Sequence, residues 1–238
     1  QRSAVSSLPF LGSTFLGAVL IFLVQPMFAK MATPLLGGSP SVWNVSLVCF
    51  QAALLIGYAY AHGLARLQSV RLQIAIHAGL FLVGAICLPL SITGLLGVPD
   101  SDHPALWLIG AFIVSIALPY AVVSATAPLI QSWYARSGRS DAGDPYYLYA
   151  ASNVGSLLGL AVYPLLLEPL TLVETQSLTW AIGYGLLFLL IIGSGGLVAG
   201  RAPSPPAAEQ IKDKAPLAWS ERGCWILLAF VPSSLLVG

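Results

Sequence analysis

Charge is what this chain has least of. Only 8% of its 238 residues are Asp, Glu, Lys or Arg, while 57% are hydrophobic; soluble domains carry roughly a quarter charged residues. No single water-surrounded core hides that much apolar surface, so lipid is the expected solvent. Ten Lys and Arg against nine Asp and Glu leave a net charge of +1. That balance supplies neither the basic field that nucleic acid requires nor an acidic tail. Cysteine is scarce as well. Cys49, Cys87 and Cys224 lie far apart, each inside an apolar run, with no metal-ligand spacing. Catalytic signatures are missing: the sequence holds no Ser-His-Asp arrangement, no phosphate loop and no paired carboxylates within an apolar run. Gly193, Gly195 and Gly196 end an apolar run, with no strand before them and no acidic residue about 20 positions on, so they make no dinucleotide loop. These residues carry no enzyme chemistry, no cofactor and no metal.

Long apolar runs are what the chain has instead. Six meet the roughly 20 residues a helix needs to cross hydrocarbon: Leu8 to Met31, Val42 to Leu64, Leu72 to Leu96, Ala105 to Ile130, Tyr146 to Leu167 and Gln176 to Val198. They are continuously apolar and do not alternate, which excludes barrel strands. The expected fold is all-α, a polytopic membrane helix bundle over residues 1–199. The first run lacks a small-residue cleavage pattern and reads as a permanent span. It is expected to break at Pro34, turn through Gly37, Gly38, Ser39 and Pro40, and restart near Val42. Residues 200–220, rich in Pro, Ala and charge, read as a linker. A seventh span starts at 221; the 15 residues from Cys224 to Gly238 cover roughly 22 Å of a core about 30 Å thick. The chain is therefore expected to be a fragment of a longer protein, and Gln1 in place of Met points to an upstream stretch.

Lys and Arg flanking short loops are held on the cytoplasmic side. With the N-terminus inside, that side carries Arg2, Arg66, Arg71, Arg136, Arg139, Arg201, Lys212, Lys214 and Arg222, and only Lys30 lies opposite. The expected location is a bacterial inner membrane, crossed several times, with the N-terminus cytoplasmic. Asp144 and Pro145 are placed to cap and begin the fifth helix. Six spans, a linker and a seventh span have the layout of the first half of a major facilitator transporter. The loop after the second span, HGLARLQSVR, keeps Gly63, Arg66 and Arg71 of that superfamily's loop pattern but lacks its acidic residue.

Three longer stretches carry a more specific likeness: QPMFAKMATPLLGGSPSVWN from Gln25, QAALLIGYAYAH from Gln51 and DPYYLYAASNVGSLLGLAVYP from Asp144. In this order they resemble the membrane portion of the bacterial fused major facilitator/spermidine synthase proteins. The resemblance implies a membrane domain followed, beyond Gly238, by a soluble aminopropyltransferase-like domain. The domain's role is then to anchor that soluble part or to move a small solute whose identity the sequence does not give. Two other roles stand beside it, a stand-alone secondary transporter and an accessory subunit that packs against other membrane subunits.

Polar side chains inside spans are the candidate site, because leaving them unpaired in hydrocarbon is costly. Gln25 precedes Pro26, whose ring and missing N–H disturb the helix; it either bridges to a neighbouring span or forms part of a substrate site. Lys30 either snorkels to the headgroups or faces inward toward Glu168 or an anionic ligand. Gln51 and Asn153 lie within the second and fifth spans, and with Gln25 they would line a midplane cavity in a transporter. His62 sits at a span end and His77 within the third span, a weak pair for a proton relay. Ser152, Gly155, Ser156 and Gly159 form a small-residue stripe, with Gly155 and Gly159 matching GxxxG, suited to close helix packing.

Overall fold

The computed structural model describes residues 6–92, 96–97, 99, 103–139, 141–142, 146–199, 219–221 and 223–228. The described residues are helical or in turns, with no strand among them. Among the described residues six helices are long and apolar enough to cross a membrane: α1 Leu8–Leu36, α2 Pro40–Ala65, α3 Val70–Cys87, α4 Pro104–Ala135, α5 Tyr146–Leu170 and α6 Val173–Ala199. The chain is a multi-pass membrane protein. Its outward side chains agree with a lipid solvent: Ile86 is 81% exposed, Leu165 71% and Leu157 67%.

Two helix ends differ from the sequence expectation. α1 runs through Pro34 to Leu36 and stops at Gly37, whose φ of +76° suits glycine. Pro34 lies in the last turn, where its missing N–H costs a single bond. There the Thr33 hydroxyl donates to Ala29 O at 2.7 Å and Gly37 N donates to Thr33 O at 2.9 Å. α2 then begins at Pro40, in the first helical turn, where no donor is needed. α3 ends at Cys87, earlier than expected, because Leu88 is extended ahead of Pro89; proline pushes the residue before it out of the helical region. Pro119 in α4 and Pro164 in α5 coincide with π-helical turns, Ile113–Ala117 before the first and Tyr163–Leu167 around the second. A missing N–H lets the ladder shift register there without ending the helix.

α1 and α4 form the centre. Of the most apolar 18-residue stretch of each helix, 50% is buried in α4 and 39% in α1, against 17% in α5. The two run antiparallel: Phe10 meets Tyr134 edge-on at 5.2 Å, and Phe28 meets Phe112 edge-on at 5.6 Å. Around them the partners are exchanged in a regular way. α1 packs on α5 and α6, α4 packs on α2 and α3, and α3 meets α6.

Side chains repeat the exchange. A Cβ at Gly155 in α5 would run into the Phe15 carbonyl oxygen of α1, and one at Gly57 in α2 would run into the Ala121 carbonyl oxygen of α4. Only glycine permits these two backbone approaches. Gln73 stands four residues into α3 and donates to Leu67 O at 2.6 Å; Gln176 stands four residues into α6 and donates to Leu167 O at 3.1 Å. The rings of Phe81 of α3 and Tyr184 of α6 meet at 4.6 Å, tilted by 36°, with the Tyr184 hydroxyl donating to Phe81 O at 2.9 Å. The helices α1–α3 and α4–α6 are thus two equivalent halves. Three crossings each set them in opposite senses across the membrane.

Residues Pro205–Gly238 cluster as a second compact unit. Within it residues 219–221 and 223–228 are helical. The expected linker falls outside the described residues except at 219–220, as does the expected seventh span except at 221 and 223–228. Asp144 and Pro145 also lie outside them.

Candidate functional site

The halves bring a short sequence repeat together at the α1 and α4 crossing. Leu23 to Lys30 reads LVQPMFAK and Leu129 to Arg136 reads LIQSWYAR. Leu, Gln and Ala are kept, Val is exchanged for Ile, Phe for Tyr and Lys for Arg. Gln25 and Gln131 are each half-buried, one on each central helix. The Gln25 amide donates to the Tyr120 hydroxyl at 3.3 Å, tying α1 to α4 across the core. Gln25, half-buried, and Tyr120, buried, therefore form a polar pair at the crossing of the two central helices. Hydroxyls and amides of this kind bind neutral or polar solutes by hydrogen bonding and carry no fixed charge.

Lys30 and Arg136, the last residues of the repeated segment, do matching work. Lys30 Nζ donates to the Glu168 backbone carbonyl at 3.2 Å, at the end of α5. Arg136 donates to Ala65 O at 2.8 Å and Leu67 O at 3.4 Å, at the end of α2. Each cation covers carbonyls that the last turn of a helix leaves without a donor, where the helix dipole also favours positive charge. The isolated Lys30 thus has a structural reason to lie where the sequence puts no other cation.

The remaining polar residues are placed elsewhere. Gln51 and Asn153 are exposed on α2 and α5, and neither is hydrogen-bonded to Gln25 among the described residues. Gly155 and Gly159 are buried against α1, where a Cβ at Gly159 would lie 3.0 Å from Val19 O. Ser152 and Ser156 sit beside them, the Ser156 hydroxyl donating back to Ser152 O at 3.0 Å. That bond turns the hydroxyl into its own helix. His62 is exposed and in hydrogen-bond contact with Arg66 at 3.0 Å. His77 is fully buried, with Nδ1 3.4 Å from the Tyr60 hydroxyl and Nε2 without a partner. Cys49 and Cys87 are half-buried and Cys224 is exposed, all three as free thiols.

Outside the spans, Arg139 grips Asp141 with two bonds, at 2.7 and 2.9 Å, and the Tyr134 hydroxyl donates to the same carboxylate at 2.7 Å. The Arg139 guanidinium, and then the Tyr134 hydroxyl, hold the Asp141 carboxyl well below the usual carboxylate range.

Sequence reasoning passed over Gln73, Gln176 and the partnership of Lys30 with Arg136. The signal for all of them was the internal repeat, which leaves the same residue type at the same place in each half. No family model, no curated protein and no solved structure matches this chain.

Proposed function

We propose that this chain is a membrane domain that moves a small polar solute, with the solute binding at the Gln25 and Tyr120 pair beside the α1 and α4 crossing. The observation that carries this reading is the exchange of roles between the two halves. Halves of opposite sense offer two alternative packings about one fixed centre, and transporters of this architecture bind substrate near the midplane between such repeats. Prolines and π-helical turns in α1, α4 and α5 give the helices places to bend. The bundle resembles the first half of a major facilitator transporter, placed in a bacterial inner membrane with its N-terminus in the cytoplasm.

The test is water access. In a background with Cys49, Cys87 and Cys224 replaced by Ser, Gln25→Cys and Gln131→Cys are expected to react with a membrane-impermeant maleimide from an aqueous side. Failure of both to react from either side removes the transport reading.

A second reading is favoured by the three stretches beginning at Gln25, Gln51 and Asp144. In it the bundle is the membrane portion of a spermidine-synthase-like fusion and holds an aminopropyltransferase-like domain at the membrane surface. Reading the gene past the Gly238 codon decides it: an open frame encoding such a domain supports it, and a frame without one removes it.

A further inference from the structure

The two halves are equivalent in helix packing but not in the volume they fill. A cavity of about 250 Å³ opens between α1, α5 and α6, with Leu20, Met27, Tyr163, Gln176, Trp180 and Gly183 among its walls. The sibling position, among α4, α2 and α3, carries the larger side chain at two of the matching walls. Where the repeat puts Met27 in α1 it puts Trp133 in α4, and the Trp133 indole is fully buried and donates to Gln73 Oε1 at 2.7 Å. Where α6 has Gly183, counting from the paired Gln176 and Gln73, α3 has Leu80, which packs against the core. At these two walls the open cavity has the smaller residue of each pair, and there the space is left between α1 and α6.

The chemistry of the walls fixes what enters. Every polar side chain lining the cavity is bonded within the chain. The Tyr163 hydroxyl donates to Gln176 Oε1 at 3.1 Å, and the Gln176 amide donates to Leu167 O at 3.1 Å and Thr171 O at 3.2 Å. Thr179 donates to Thr175 O at 2.8 Å and the Trp180 indole to Leu20 O at 2.9 Å. No polar side chain on these walls is without a partner, and a water needs about two to four polar partners to be held. Ile182 and Leu186, on the same wall, are 59% and 52% exposed, so the cavity opens sideways onto the hydrocarbon around the spans. An empty space there would forfeit contacts that a chain from the bilayer supplies.

We infer that this cavity is a binding site for one acyl chain of a membrane phospholipid, held between α1 and α6. The inference stands on packing alone and does not depend on whether the domain moves a solute.

The test uses the full chain in phosphatidylethanolamine and phosphatidylglycerol vesicles doped with a phospholipid whose acyl chain carries a diazirine. After irradiation, labelled residues are mapped by mass spectrometry. In the wild type, label is expected on the cavity walls at Leu20 or Leu23 at least fivefold above their sibling positions, Thr126 and Leu129, which are buried. Met27→Trp and Gly183→Leu, which copy the sibling residues, are each expected to cut the cavity label at least fivefold while leaving the label at exposed Leu157 unchanged. Equal labelling of the two grooves in the wild type, or cavity label unaffected in a folded variant, means ordinary surrounding lipid and overturns the proposal. Label that decane displaces at concentrations where added phospholipid does not assigns the site to a free apolar solute, and overturns it too. The wild-type contrast between grooves decides the matter even if a variant fails to fold.

Discussion

The first half of this bundle, α1 to α3, and the second, α4 to α6, solve one packing problem twice with different side chains. Where both must bring backbones together, they agree: Gly57 and Gly155 each leave room for a carbonyl of the facing central helix. Where a buried amide must close a helix end, Gln73 and Gln176 agree again. They part where volume is concerned, with Trp133 against Met27 and Leu80 against Gly183. Backbone geometry and buried polar groups are therefore the constrained features of this architecture, and side-chain volume is the free one. A buried polar atom in hydrocarbon has few alternative partners, whereas an apolar gap is open to lipid.

The largest expected effect comes from the shared glycines. Gly57→Leu and Gly155→Leu are each expected to lower stability by about 3 kcal/mol, the upper end of ordinary overpacking costs, because each added side chain meets backbone and not a movable tip. Thermal unfolding in mild detergent measures this. A variant at one site that unfolds normally while its counterpart collapses would break the equivalence of the halves.

The glutamines come next. Gln73→Ala strands the Trp133 indole donor and Gln176→Ala strands the Tyr163 hydroxyl, so each is expected to cost about 2 kcal/mol, in the range for leaving a buried partner unsatisfied. The same melting assay reads both, and a loss confined to one half would show that only that half relies on its amide.

How much of this was legible beforehand follows from the physics of each feature. Hydropathy over 20 residues finds the six spans, because crossing lipid demands a long apolar run whatever the neighbours are. Helix ends were harder. Pro34 was expected to break α1, yet a proline in the last turn removes only one bond, and Gly37, with its positive φ, is the true stop. Gln25 and Lys30 were found through the cost of polarity in a span, but their partners were not, since Tyr120 and Glu168 are distant in sequence. Gln51 and Asn153 stood out for the same reason and lie on the outer surfaces of their helices. Hydropathy carries no information about which face of a continuously apolar helix meets a neighbour. The repeat LVQPMFAK and LIQSWYAR carries that information, because two equivalent helices make equivalent contacts.

The smallest effect sharpens the contrast at the one described ion pair that has no counterpart in the first half, where the position matching Asp141 is Leu35. Arg139 holds the Asp141 carboxyl below its unfolded value of about 3.9. The folded-state pKa is lowered, so the contribution is present above about pH 4 and is lost as pH falls further into acid. Asp141→Asn is expected to lower the Tm slightly at pH 7 and by less at pH 2, with the pH 7 difference shrinking in high salt because the pair is partly exposed. An equal shift at both pH values would mean that charge plays no part there.

The opposed orientation of α1 and α4 is tested most directly by fusing reporters after residue 38, beyond α1, and after residue 138, beyond α4. One reporter is alkaline phosphatase, active only outside the cytoplasm, and the other is green fluorescent protein, bright only within it. Phosphatase activity at 38 and fluorescence at 138 are expected, as Lys and Arg bias the second site inward. The same reporter working at both positions would contradict two halves set in opposite senses across the membrane.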